Sequence, residues 1–286
     1  MEYNVGLDIK LIAQILGITI NALAEKINTT PETLSRIING KIEPSSKMIE
    51  SIYSFAYDSG LKINEEKVSY YSKRCNVLLF HGSRNEIKGE LSLSHSRDTV
   101  DFGTGFYTGD NYLQSLDFVS HFKNSAIYLF EYDPSELKIL NVDVSLEWML
   151  YILYNRKMLT GYENTKLYKK IAKYCDGYDV IVAPIADNRM FSTIESFFKA
   201  EITTEQAFHT LNALRLGKQI VFKTDKSLKH LKMLEKLYIS KPERESSIKR
   251  KIDIVEKTES EIRDINIKYL RQGLYLPELF ENEENK

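Results

Sequence analysis

Leu79-Phe80-His81-Gly82-Ser83, followed further along by Asp101-Phe102-Gly103-Thr104-Gly105-Phe106-Tyr107-Thr108, is the part of the sequence on which the fold turns. The first piece ends the apolar run Asn76-Val77-Leu78-Leu79-Phe80, which reads as a buried strand. His81 and Gly82 then stand at the strand end, where a residue without a Cβ lets a flat ligand approach the main chain. In the second piece two glycines precede an aromatic pair, so another strand could pass the same spot and present Tyr107 to it. A polar anchor, a bare backbone edge and an aromatic wall suit a flat aromatic amide such as nicotinamide. Taken singly, each piece has an ordinary reading: a histidine satisfying a hydrogen bond at a strand end, and a Gly-x-Gly bulge or turn.

Composition narrows the class. A chain of 286 residues accommodates one large domain or two smaller ones. Hydrophobic content of 43% and charged content of 28% are those of a globular protein. No apolar run approaches the roughly 20 residues needed to span a bilayer. Met1-Glu2-Tyr3-Asn4 does not open a secretory signal. The expectation is a cytoplasmic protein with no membrane partner. Cys75 and Cys175 are the two cysteines and lack a paired spacing, so neither a disulfide framework nor a metal site is expected. A net charge of −1 gives no global argument for nucleic acid.

The expected class is α+β: an all-helical N-terminal domain, a split β-sheet domain, and a helical C-terminal tail. The boundaries fall at 1–60, 61–75 (a linker with helical tendency), 76–236 and 237–286. In the first part, Thr19–Ile27 reads as a helix, Asn28-Thr29-Thr30 as a turn, and Pro31–Ile38 as a second helix ending at Asn39-Gly40. Thr30 suits the N-cap, Pro31 the first helical position, and Gly40 the C-terminal stop. Leu23, Ala24, Ile27, Leu34 and Ile37 supply the apolar face, with Ala24 small enough for two helices to cross. Strands are expected at 76–82, 104–108, 125–132, 137–142, 179–184 and 218–223. Helices are expected at 110–122, 144–158, 165–175, 188–199, 203–214, 226–236 and 244–271. The last of these would pack on the body or on a partner, a coiled-coil dimer being one form of that.

The first module resembles the Cro/repressor-type helix-turn-helix. That resemblance implies a DNA major groove facing Thr30, Pro31, Glu32, Thr33, Ser35, Arg36 and Asn39. Against it, residues 1–60 hold five Lys/Arg and seven Asp/Glu, a poor supply of phosphate-neutralising charge. A protein-contact role is the alternative.

The larger part resembles the ADP-ribosyltransferase fold of the poly(ADP-ribose) polymerase (diphtheria-toxin) branch. Those enzymes carry His-Gly on one core strand and Gly-x-Gly-aromatic-Tyr on the next. A serine and an aromatic follow on a helix, here Ser115 and Phe118. The sequence looks still more like an uncharacterised bacterial family of this kind, with His81-Gly82-Ser83, Asp101 to Tyr107, Gln114, Pro184-Ile185-Ala186-Asp187 and Gln219-Ile220-Val221-Phe222. The likeness runs over roughly residues 77–232. It implies NAD as substrate and no metal. His81 would bond a ribose hydroxyl, Gly82 and neighbouring Ser83 would meet the nicotinamide carboxamide, and Tyr107 would stack on the ring beside Gly105. Phe118 would close the other face and Ser115 would bond the amide.

Many relatives place a glutamate on the late strand, where this sequence has Gln219. An amide positions a hydroxyl but is no general base. Transfer of a single ADP-ribose to a good nucleophile, or help from Asp187 or Glu205, is compatible with that change; polymer formation is not expected. Asp187 also reads as a helix N-cap. A helix-turn-helix fused to such a domain implies a mono-ADP-ribosyltransferase acting on a protein or nucleic-acid target. A toxin or anti-phage effector with a homodimer or antitoxin partner would fit this arrangement. The competing readings are a DNA-binding regulator that senses NAD without reacting, and a structural interaction protein.

Overall fold

The computed structural model describes residues 2–93, 99–185, 188–214 and 217–284. The first five helices are α1 (Val5–Leu16), α2 (Ile20–Lys26), α3 (Pro31–Ile38), α4 (Ser46–Asp58) and α5 (Ile63–Ser72). Strand β1 (Leu78–Ser83), β2 (Phe106–Gly109), α6 (Tyr112–Val119), β3 (Ala126–Tyr132), β4 (Ile139–Asn141), α7 (Leu146–Asn155) and α8 (Lys166–Ala172) follow. Then come β5 (Val180–Pro184), α9 (Asn188–Phe198), α10 (Thr204–Ala213), β6 (Lys218–Phe222), α11 (Asp225–Leu228), β7 (Leu231–Tyr238), α12 (Lys241–Lys268) and α13 (Leu276–Glu284). The architecture is the expected mixture of helices and largely antiparallel strands.

The chain forms two compact units, each drawn from three separated segments: Met1–Gly89, Asn111–Asp133 and Leu231–Lys251 in one, Glu90–Asp110, Pro134–His230 and Ile252–Lys286 in the other.

In the first unit, hydroxyl caps start the helices as their sequences require. Thr19 accepts from the N–H of Ala22, Thr30 from Thr33 and Ser45 from Met48. Pro31 takes the first position of α3, and Gly40 ends the turn after it at φ 64°. Ile9, Ile12, Leu23, Ala24, Leu34, Ile52 and Ala56 are fully buried and make the core of this helical module. Beside it lies an antiparallel ribbon, β1 pairing with β3 and β3 with β7. The segment expected as a linker is α5, which buries Ile63, Asn64 and Lys67.

Lys67 ties this unit together. Its ammonium sits 2.6 Å from Asp8 of α1 and 2.7 Å from Glu235 of β7. Tyr53 donates to the same Asp8 carboxylate. Glu50 of α4 accepts from the Tyr238 hydroxyl at 2.6 Å and from the N–H of Lys241 at 2.7 Å. The helical module and the ribbon are therefore one folded body joined by buried polar contacts. Buried charges survive only when paired and hydrogen-bonded, and these are.

The helix expected at 226–236 is corrected. The structure has the single turn α11, capped by Thr224, and then β7. The apolar residues Leu231, Met233, Leu234 and Leu237 do not alternate strictly, which imitates a helical face. A bulge explains it: Phe130 pairs with Met233 and Leu129 with Glu235, so Leu234 is the extra residue that shifts the phase. The C-terminal helix begins earlier than expected, at Lys241, and a second helix, α13, completes the helical tail.

The second unit holds β4, β5, β6 and β2 in that order, with β4 and β5 parallel and the other pairs antiparallel. Its core is built on Trp148, Leu150, Ile152, Phe197, Val221 and Phe102, all fully buried. Among the described residues no single helix is long and apolar enough to cross a membrane. The pair α1 and α2 passes that test together but bends by 100° and supplies core residues of the helical module.

Candidate functional site

In the first unit the His-Gly strand lies against α6. Gly82 is demanded by that packing: a Cβ there would stand 2.8 Å from Cγ1 of Val119 and 2.9 Å from the carbonyl oxygen of Ser115. The bare backbone edge therefore faces the helix. The Phe118 ring lies 3.6 Å from the same position, and the residue is 63% exposed, so an aromatic side chain stands open to solvent beside Gly82. The hydroxyl of Ser115 donates to the carbonyl of Phe80 at 3.4 Å and is buried. Asn111 caps α6 by accepting from Leu113 and Gln114. Gln114 adds a group of interest: its side-chain oxygen is buried and has no hydrogen-bond partner among the described residues. A buried acceptor without a donor costs free energy.

His81 is half-buried on β1 opposite Tyr128. Ser83 is committed to a local turn, its hydroxyl donating to Asn85 O at 2.8 Å and accepting from Asn85 N.

Helix α6 is held from its other side by the first turns of α12. Glu243 accepts from the Tyr112 hydroxyl at 2.7 Å and from Asn64 at 2.9 Å. Ser247 donates to Asp117 at 2.6 Å, and Arg250 pairs with the same carboxylate. Burial pushes the Glu243 carboxyl up to about 7, against the lowering effect of its two donors.

In the second unit, Gly103 sits at φ 65°, a left-handed turn that glycine favours. Gly105 lets β2 close on β6, because a Cβ would stand 2.7 Å from Cγ1 of Val221 and 3.0 Å from the carbonyl of Phe222. The Tyr107 hydroxyl accepts from Phe102 N at 3.1 Å and donates to Gly103 O at 2.6 Å. Burial holds its phenol well above the ordinary range, so it acts as a fixed neutral donor.

Gln219, on β6, is buried. Its Nε2 donates to Asp101 Oδ2 at 3.1 Å and to Pro184 O at 2.9 Å. Asp101 in turn takes two contacts from Arg156, at 2.6 and 3.1 Å. Glu205 stands exposed in the first turn of α10, 3.5 Å from His209, whose ring stacks on Tyr269 at 3.7 Å. Asp187 lies outside the described residues.

The helix-turn-helix presents Glu32, Ser35 and Arg36 to solvent, and an open groove there is lined by Ile20, Asn21, Pro31, Glu32, Ser35 and Arg36. Thr30 is exposed but spends its oxygen on the helix cap. Thr33 is half-buried, and Asn39 donates to Ser35 O at 2.7 Å. Charge bookkeeping also changes: Asp8 is buried on Lys67 and Glu50 is 3.6 Å from Arg244. Five exposed Lys/Arg side chains (10, 26, 36, 41, 47) then face five acids, which removes the deficit seen in the sequence.

A family described as "Protein of unknown function (DUF3990)" matches residues 77–233, and a helix-turn-helix family matches residues 9–52. The chain belongs to the DUF3990 family and carries an N-terminal helix-turn-helix. No curated protein and no solved structure matches it.

Proposed function

We propose that this chain is an NAD-dependent mono-ADP-ribosyltransferase with a DNA-binding helix-turn-helix in the same molecule. The observation that carries the proposal is the α6 face of the first unit. Gly82 packs against the helix, and Phe118 of the same helix stands exposed beside it. An aromatic carboxamide suits that face, because its ring can stack on the exposed Phe118. Ser115, His81 and the Gly82 main chain are the further groups assigned to the nicotinamide end. The family resemblance also assigns roles to Tyr107 and Gln219.

In the reaction the bond between nicotinamide nitrogen and ribose C1′ breaks, and a bond forms from C1′ to an oxygen or nitrogen of the acceptor. Nicotinamide leaves neutral and the acceptor's proton passes to solvent. The transition state is oxocarbenium-like, and preorganised dipoles stabilise it. Gln219 offers an amide and no negative charge, so the acceptor must be nucleophilic by itself and a single transfer is the expected product.

A second reading has its own observation. The carboxylate nearest to Gln219, Asp101, is held by Arg156, which leaves the late strand suited to binding rather than to proton abstraction. A DNA-binding regulator that senses NAD intact is the form this would take. Calorimetry with NAD followed by mass analysis separates the two. Heat of binding with free nicotinamide and ADP-ribosylated product supports transfer; binding with intact NAD supports sensing; no binding in either the wild type or a Phe118→Trp variant refutes both.

A further inference from the structure

Asp101 has no assigned role in the resemblance, yet it decides what Gln219 can do. Its side chain is buried. Oδ1 accepts from Arg156 Nη2 at 2.6 Å and Nε at 3.1 Å, and Oδ2 accepts from Gln219 Nε2 at 3.1 Å. The guanidinium that holds it stacks over the Phe191 ring at 3.7 Å, and Asn155 donates to the Asp101 main-chain oxygen at 3.2 Å. The second hydrogen of Gln219 Nε2 goes to the carbonyl of Pro184 at 2.9 Å. Both neighbours of the amide are acceptors with no hydrogen to give. The nitrogen must therefore face them and the carbonyl oxygen must face away.

We propose that Asp101, fixed by Arg156, is a positioning residue that sets the polarity of position 219: it makes Gln219 present a hydrogen-bond acceptor, suited to a donor such as a sugar hydroxyl, and excludes a glutamate there. That the hydroxyl belongs to NAD rests on the proposed function above; the polarity itself does not. A carboxylate at 219 would meet the Asp101 carboxylate and the Pro184 carbonyl where two N–H donors now sit. Like charge and lost donors both favour the neutral acid.

Two variants test this in the full chain: Gln219→Glu, and Gln219→Glu combined with Asp101→Asn. The first readout is melting temperature against pH from 4 to 9 without ligand, each variant compared with wild type. Gln219→Glu should lie closest to wild type when protonated, its single O–H replacing one of the two N–H donors, and fall further below it as pH rises, with a midpoint at least one pH unit above the ordinary glutamate value of about 4.3. Adding Asp101→Asn should move that midpoint down by about one unit or more. A midpoint near the ordinary value in the single variant, or one that Asp101→Asn leaves unmoved, overturns the proposal. The second readout is NAD binding by calorimetry. A further variant, Gln219→Met, removes the acceptor and should bind NAD about tenfold or more weakly than wild type. Equal binding by Gln219→Met and wild type overturns the role assigned to the acceptor. If wild type itself binds no NAD, the proposed function fails while the melting comparison still decides the polarity.

Discussion

Replacing Lys67 with methionine should destabilise the whole first unit, because it leaves two carboxylates in the interior without a cation. Lys67, Asp8 and Glu235 are 8%, 2% and 6% exposed at their side chains, with contacts of 2.6 and 2.7 Å. Burial already raises the Asp8 carboxyl despite Lys67 and Tyr53, which shows that desolvation dominates there. Breaking such a pair by removing one partner costs about 3–5 kcal/mol. For a chain of this length about 2 °C is lost per kcal/mol, so Lys67→Met should melt roughly 6–10 °C below wild type at pH 7.5. The deficit should shrink in acid, because the penalty belongs to the ionised carboxylates. A triple variant with Asp8→Asn, Lys67→Met and Glu235→Gln should recover most of the loss, since no uncompensated charge remains. Thermal and urea melts of the three proteins decide the matter. A single variant within about 1 °C of wild type, or a triple variant less stable than the single, refutes the reasoning.

Further outcomes are expected. The Glu243 carboxyl is raised from the ordinary 4.5 to about 7 in the folded chain. Its contribution is therefore full below pH 4.5 and is lost as pH rises through about 7, by up to about 3 kcal/mol. Glu243→Gln keeps an acceptor for Tyr112, so its melting curve should be flatter across that window and higher than wild type at pH 8. Gly82→Ala forces a Cβ into Val119 and the Ser115 carbonyl and should cost about 1–3 kcal/mol by urea titration. Thr30→Ala removes the α3 cap and should cost about 1 kcal/mol in the same assay. Arg36→Ala should weaken DNA binding and lower the salt dependence by about one counterion if Arg36 meets a phosphate; an unchanged slope and affinity contradicts DNA contact at that residue.

The helical module was legible because its signals are local. Thr30, Pro31, Asn39 and Gly40 mark helix ends by their own chemistry, and Leu23, Ala24, Leu34 and Ile37 mark the buried face. Strands β1 and β6 were legible as apolar runs ending in distinctive residues. Strand β7 was not, since Leu, Lys, Met and Glu are good helix formers and the bulge at Leu234 hides the alternation. Pairing with β3, a contact distant in sequence, overrides that local preference. The role of α5 was hidden for the same reason: nothing near Lys67 in sequence announces Asp8 or Glu235. Among the candidate residues, the types were readable but their uses were not. Gly82 is required by Val119 and Ser115, Ser83 closes a turn, and Gln219 is oriented by Asp101. The pairing of Asp101 with Gln219 spans 118 positions and has no local signature.

The central claim is that the chain cleaves the nicotinamide–ribose bond of NAD and transfers the ADP-ribose. Incubation with NAD labelled in the adenosine half, in the presence of a cell extract, tests it most directly. The account predicts free nicotinamide together with label on one class of acceptor, and loss of both in Phe118→Ala while the variant retains its wild-type melting temperature. Intact NAD with no labelled acceptor from wild-type protein would contradict it.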